Sequence, residues 1–245
     1  HLLVLQGEEE RPVSYGELRE KARQVAGLLQ ALALEPGDTV AIMLPTGIDY
    51  FFCFFGVLYA GGVPVPLYPP ALPSQIEEHL RRHRKILANA GARILITVPE
   101  VRTVALLLQS QVPRLEQVLT IDDLYRHERT SFALPPAATA TAFLQYTSGS
   151  TGDPKGVILS HANLLANIRA MGQVCEVTAA DVFVSWLPLY HDMGLIGAWL
   201  GSLYHGCRLV VMPPLSFIAR PERWLLAIDR YRGTLSAAHT FGYDL

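Results

Sequence analysis

The sequence predicts an α/β fold in which a parallel sheet is covered by helices. Two observations predict it. Short apolar runs alternate with longer segments whose apolar residues recur at spacings of three and four, the alternation of strand and helix that builds βαβ units. The composition is that of a packed globular chain: of 245 residues, 50% are hydrophobic and 17% charged, with a formal net charge of −2. Low hydrophobicity with high net charge, the signature of disorder, is excluded. A chain of this length buries roughly 70% of its unfolded surface, and at roughly 150 residues per domain it is one large domain or one domain with part of another.

The elements follow in order. Leu2–Gln6 and the stretch ending in Pro12-Val13 read as strands around the charged turn Glu8-Glu9-Glu10. Ser14 with Glu17 three residues later forms a capping box, and Leu18, Ala22, Val25, Leu29 and Leu32 draw one apolar stripe along the helix it opens. Pro36-Gly37 ends that helix. Thr39–Leu44 (strand), Gly47–Ala60 (helix) and Val63–Leu67 (strand) make one βαβ unit. Ser74 with Glu77 opens a second capped helix to about Asn89; Arg93–Val98 (strand), Val101–Gln109 (helix) and Gln117–Ile121 (strand) follow. His127–Thr141, rich in Pro, Ala and Thr, is a connector. Beyond it come strands Ala142–Thr147 and Gly156–Ser160, a helix His161–Met171, a strand Asp181–Ser185, a helix Met193–Tyr204, a strand Arg208–Met212, a helix Pro221–Tyr231 and a strand Thr234–Ala237.

Several function classes drop out. A near-neutral chain gives no electrostatic case for nucleic acid. The basic cluster Arg81, Arg82, His83, Arg84 and Lys85 reads as a solvated helix face, with Ile76, Leu80 and Leu87 turned inward. Tyr50–Ile76 carries no charge and is long enough to span a bilayer, but Gly61-Gly62, Pro64 and Pro66 break it, so a buried helix running into a buried strand is expected and no membrane span. Cys53, Cys175 and Cys207 form no CxxC pair and read as reduced core residues of a cytoplasmic protein. The chain opens on His1 without a basic-then-apolar leader, so no signal peptide is expected, and it stops at Phe241–Leu245 without a closing element; the expectation is a piece of a longer protein.

Chemistry concentrates in Tyr146-Thr147-Ser148-Gly149-Ser150-Thr151-Gly152-Asp153-Pro154-Lys155-Gly156, between two strands. Glycines let backbone N–H groups approach an anion and form a nest for phosphate oxygens. Hydroxyls donate further bonds, and Lys155 adds a mobile positive charge. Three other readings fail on spacing. A Walker A loop needs Ser or Thr directly after its Lys, where Gly156 stands. A dinucleotide fingerprint opens a helix. A hydrolase elbow needs G-x-S-x-G.

The run from Tyr146 to Gly156 resembles the phosphate loop of the adenylate-forming enzymes, which include acyl-CoA synthetases, luciferase and nonribosomal adenylation domains. Ser185-Trp186-Leu187-Pro188-Leu189-Tyr190-His191-Asp192-Met193-Gly194-Leu195 resembles the family's next motif in the form typical of fatty acyl-AMP ligases, and Tyr59–Pro66 is similar to its helix-to-strand passage. The resemblance spans essentially the whole chain, in family order. It implies the N-terminal domain of the acyl-adenylate-forming fold, truncated: two adjoining β-sheets with helices between and outside, residues 1–135 forming a first α/β subdomain and 136–245 a second that carries the phosphate loop, with strands interleaving between the sheets.

The resemblance also implies roles. Thr147, Ser148, Gly149, Ser150, Thr151 and Gly152 would cradle the β- and γ-phosphates of ATP, Lys155 would neutralise the departing pyrophosphate, and Thr147 would help hold Mg²⁺. His191 would sit at the junction of nucleotide and acyl pocket as a hydrogen-bond donor, with Met193, Gly194 and Trp186 on the substrate side; Asp192 would cap the following helix. Gly194, Gly197 and Gly201 leave one face of that helix bare, which suits close helix packing or a passing alkyl chain. The implied reaction joins a fatty acid to ATP as an acyl-adenylate with release of pyrophosphate, for transfer to an acyl carrier protein thiol. A fatty acyl-CoA ligase, with CoA as acceptor, and a non-catalytic nucleotide-binding module are the alternatives. The chain departs from the family at His239-Thr240, where relatives carry Pro-Asn before the Phe. Because further motifs of the family lie beyond Leu245, these 245 residues alone are expected to have little or no adenylation activity.

Overall fold

The computed structural model of the chain describes residues 2–7, 9–70, 76–126, 136–147 and 154–244. They form two compact units. The hairpin unit comprises Leu18–Pro45 and Asp49–His161; the terminal unit comprises His1–Glu17, Thr46–Ile48 and Ala162–Leu245.

The hairpin unit is built on a four-stranded parallel sheet ordered β4 (Val63–Pro66), β3 (Thr39–Met43), β5 (Ile94–Thr97), β6 (Gln117–Thr120). Buried on both faces, these strands are almost continuously apolar. The helices are α1 (Tyr15–Ala31), α2 (Ile48–Tyr59), α3 (Ile76–Ala90), α4 (Arg102–Gln109) and α5 (Ile121–Tyr125). Ser14 Oγ accepts the Glu17 N–H at 3.1 Å, half of the expected capping box; the Glu17 carboxylate turns to Arg11 at 2.6 Å instead. Leu18, Ala22, Val25 and Leu29 are buried as the stripe requires, while Leu32 lies past the helix end and is half-buried. The uncharged run forms the buried helix α2 and strand β4. Gly61, at φ +85°, supplies the left-handed turn between them. Among the described residues no helix is long and apolar enough to cross a membrane. The second capping box falls on Ser74, outside the described residues.

The terminal unit carries the sheet β2 (Glu9–Val13), β1 (Leu2–Gln6), β10 (Arg208–Val211), β9 (Val182–Ser185), parallel except for the β1–β2 hairpin. The first strands of the chain thus join the last, so strands interleave between sheets. Its helices are α6 (His161–Val174), α7 (Gly201–His205), α8 (Pro214–Ala219) and α9 (Glu222–Tyr231). Leu3, Val184, Val210, Phe217 and Trp224 belong to its core.

Five expectations change. His83 does not lie on a solvated face: both His79 and His83 are buried, their rings stacked at 3.8 Å, and Tyr68 meets them edge-on at 5.3 and 4.5 Å. Neutral imidazoles fill that site as flat rings. Cys175 is exposed, whereas Cys53 and Cys207 are buried; all three are free. Thr234–Ala237 is reduced to a single bridge, Phe183↔Leu235, because Ser236 Oγ donates to the Val184 carbonyl at 2.7 Å and ends the ladder. The segment after His191 begins as a π-helix, Met193–Leu200, in which Gly201 N–H reaches the Ile196 carbonyl five residues back, and becomes α-helical only at Gly201. Ile121 opens α5 rather than closing β6. Thr120 and Asp123 form its capping box, with Thr120 N–H donating to Asp123 Oδ2 at 2.9 Å.

Candidate active site

The hairpin unit holds the phosphate-loop stems. Strands β7 (Thr141–Thr147) and β8 (Lys155–Ser160) pair antiparallel, and their last rung before the loop is Thr147↔Lys155. Directly opposed residues of an antiparallel pair project to the same face, so a hydroxyl and an ammonium share one face at the open end, both exposed. Ser148, Gly149, Ser150, Thr151 and Gly152 lie outside the described residues. The preceding rung, Tyr146↔Gly156, projects to the other face. Gly156 leaves its side bare and the Tyr146 ring covers it: a Cβ on Gly156 would stand 2.9 Å from Tyr146 Cζ. The Tyr146 hydroxyl donates to Asn89 Oδ1 of α3 at 2.6 Å.

Thr147 can offer a magnesium ion one hard oxygen. Mg²⁺ takes an octahedron of oxygens and commonly fills it with substrate phosphates and water, so an exposed hydroxyl opposite a lysine fits an ion that arrives with a triphosphate. Among the described residues no group of three His, Cys, Asp or Glu side chains could hold a metal without such a ligand.

The terminal unit holds the second motif. Strand β9 delivers Ser185, whose hydroxyl accepts the Leu187 N–H at 3.1 Å and turns the chain. Trp186 is buried in the core, stacked on Phe217 at 3.9 Å and meeting Trp224 and Phe241 edge-on. The Pro188 carbonyl accepts the His191 N–H at 3.2 Å, and the His191 carbonyl accepts the Leu195 N–H at 2.8 Å. His191 is thus held exposed on a turn of fixed backbone, its ring 5.1 Å from that of Tyr190. Asp192 Oδ1 accepts the Met193 N–H at 2.8 Å, the expected cap. Gly194 is pressed against this turn: a Cβ there would stand 2.3 Å from the Pro188 carbonyl oxygen.

The helix that follows divides differently from its glycine spacing: Gly194 packs on the turn, and Met193 takes its place on the bare face beside Gly197 and Gly201. Leu195, Trp199 and Leu200 are buried in the core. Met193, Gly197 and Gly201, four residues apart, line a mostly apolar cavity of about 260 Å³. Nothing lies within 4 Å of a Cβ placed on Gly197, so the bare face opens on this space rather than on a neighbouring helix. The remaining walls include Met171, Phe183 and His205. His205 sits against Gly172, where a Cβ would stand 2.1 Å from His205 Nε2. Sequence reasoning did not single out the walls from α6, β9 and α7; only the fold brings them together, and no local pattern marks them. Ser236 and Ala237, just before the divergent His239-Thr240, line the same cavity.

Helices packed on mostly parallel sheets make the chain an α/β protein. The chain belongs to the AMP-binding enzyme family, whose model matches residues 2–242. It is 36% identical over 245 residues to the long-chain-fatty-acid–AMP ligase FadD32 of Mycolicibacterium smegmatis, covering 96% of this chain and 38% of that protein. It is 34% identical to the medium-chain-fatty-acid–[acyl-carrier-protein] ligase JamA of Moorena producens, covering 97% and 41%. A crystal structure of a fatty acyl-adenylate ligase from L. pneumophila, in complex with acyl adenylate and pyrophosphate, superimposes with a TM-score of 0.82 at 34% identity, covering 99% of this chain and 42% of that one. The chain therefore spans about two fifths of the length of the proteins it matches.

Proposed function

We propose that the protein containing this chain is a cytoplasmic fatty acyl-AMP ligase using ATP and Mg²⁺. The fatty carboxylate attacks the α-phosphorus of ATP; the new acyl–oxygen–phosphorus link forms as the bond to the β-phosphate breaks and pyrophosphate leaves. A carrier-protein phosphopantetheine thiol then attacks the acyl carbonyl and displaces AMP. Two anions meet in the first step, so positioning and charge neutralisation supply most of the catalysis.

In this reading Thr147 and Ser148 to Gly152 bind the β- and γ-phosphates, Thr147 also contributes an oxygen to Mg²⁺, and Lys155 carries positive charge to the departing pyrophosphate. His191 donates a hydrogen bond to the carboxylate or the α-phosphate. Met193 stands on the acyl side, and the bare face at Gly197 and Gly201 accepts the chain; the substrate role given to Gly194 becomes an indirect one, through its close packing on the His191 turn. The role given to Trp186 becomes an indirect one, since its ring is packed in the core.

The observation that carries the reading is the apolar cavity lined by Met193, Gly197 and Gly201, which opens within two residues of His191 along the chain. The relatives' names point to the same substrate class and, for JamA, to a carrier-protein acceptor. Replacing Lys155 with Ala in the full-length protein tests it. Adenylate formation should fall at least a hundredfold; a nucleotide-binding scaffold would keep its partner binding and show no turnover to lose.

A further inference from the structure

The Tyr146–Gly156 rung has a feature that the phosphate chemistry itself does not require. Tyr146 is 9% exposed, packed in the core with Ile86 and Leu87 of α3. Its ring covers Gly156 across the hairpin, within 2.9–3.2 Å of a would-be Cβ, and its hydroxyl reaches past the sheet to Asn89 Oδ1 at 2.6 Å. One side chain therefore ties three elements: β7, which carries it; β8, whose bare glycine it covers; and the C-terminal turn of α3. The tie lies one rung from Thr147↔Lys155. A two-stranded ribbon alone holds its register and twist weakly, and β8 is exposed along most of its length, including Val157 at 45% and Ile158 at 69%. Further from the open end β7 is packed on β4, and Phe143 meets Phe54 edge-on at 5.9 Å; Tyr146 adds a tie beside the open end itself.

We infer that Tyr146 and Asn89 form a latch that positions Thr147 and Lys155 for the triphosphate. Both are positioning residues, acting through the rung beside them. Burial raises the Tyr146 hydroxyl above its ordinary range, so it stays a donor at every working pH. Gly156 suits the latch, since a Cβ there would stand 2.9 Å from Tyr146 Cζ and 3.0 Å from its hydroxyl and press on the ring.

This inference rests on the proposed phosphate role of the hairpin, and the test separates the two. In the full-length protein, Tyr146→Phe removes the hydroxyl and keeps the ring; Asn89→Ala removes the acceptor on an exposed helix position. Each should raise the KM for ATP roughly threefold to tenfold, the worth of one neutral hydrogen bond. The KM for the fatty acid should stay unchanged. The double variant should match the single ones, because they share one interaction. Gly56→Ala, which crowds Val25 elsewhere in the same unit, serves as a control that lowers the melting temperature without moving the KM for ATP. Unchanged ATP kinetics in Tyr146→Phe, or additive effects in the double variant, would overturn the latch while Lys155→Ala still abolishes adenylation. If Lys155→Ala is itself active, the phosphate reading of the hairpin fails, and the latch with it.

Discussion

Gly194→Ala places a methyl group where the backbone has no room for one. Its Cβ would stand 2.3 Å from the Pro188 oxygen, 2.9 Å from the Pro188 carbonyl carbon and 3.0 Å from the Leu187 oxygen. Reaching an ordinary contact of about 3.4 Å requires the two backbone segments to part by 3.4 − 2.3 = 1.1 Å. All three obstructing atoms are main chain, so no side-chain rotation relieves the clash. The same Pro188 oxygen accepts the His191 N–H, so the displacement falls on the turn that holds His191. Overpacking of this kind costs about 1–3 kcal/mol of stability. A misplacement near 1 Å at a reacting centre costs on the order of a hundredfold in rate. The two effects are separable. Pyrophosphate exchange in the full-length variant should fall about a hundredfold in kcat/KM, while the melting temperature drops by only about 2–8 °C. Exchange within about twofold of the parent, in a folded variant, would refute the claim that this turn positions a catalytic histidine.

Three further outcomes follow from the geometry. Gly197→Leu fills the cavity without meeting any atom within 4 Å of its Cβ, so the fold should persist and the preferred acyl chain should shorten; an unchanged chain-length profile contradicts the cavity's role. Gly56→Ala drives a Cβ to 2.4 Å from Val25 Cγ1 and 3.1 Å from the Ala22 oxygen, and denaturant melts should show a loss of about 1–3 kcal/mol at unchanged m-value. Burial holds His79 down at about 4 and His83, with the neighbouring His79 and Arg82 adding to it, at about 3. The unfolded chain takes up these protons near pH 6.5, so their stabilising effect is complete above that pH. It is lost as pH falls from 6.5 to about 4 for His79 and to about 3 for His83, at about 1.4 kcal/mol per pH unit for each histidine over its own window. His79→Phe with His83→Phe should flatten this limb of a denaturation series, and an equally steep limb in the double variant would contradict it.

Local rules made much of the fold legible. The Ser14–Glu17 pair marked α1 and the glycine pair Gly61-Gly62 separated α2 from β4, because caps and turns are decided by residues a few positions apart; α1 itself ends at Ala31, with Ala33 at φ +56°, several residues before the Pro36-Gly37 that was expected to close it. The two motif-bearing segments were readable as local runs of residues; that β7 and β8 pair and set Thr147 opposite Lys155 is what the structure adds. What stayed hidden depends on distant partners. His83 looks like one more basic residue on a polar helix until Tyr68 arrives over its ring. Thr234–Ala237 has a strand's composition, yet Ser236 gives its hydroxyl to Val184 and the ladder stops. The π-turns after His191 arise in a segment read as α-helix, and the cavity beside it is completed by Met171, Gly172 and His205, which no spacing in the sequence links. Proline could have marked α8 at Pro214, and Thr120 with Asp123 could have marked α5.

The most direct test is the product spectrum of the full-length protein given ATP, Mg²⁺, a medium-chain fatty acid and CoA, read by mass. A fatty acyl-AMP ligase accumulates acyl-AMP and pyrophosphate and makes no acyl-CoA. Acyl-CoA as the product would move the protein to the acyl-CoA ligases, and no acyl-adenylate under any chain length would contradict the account at its centre.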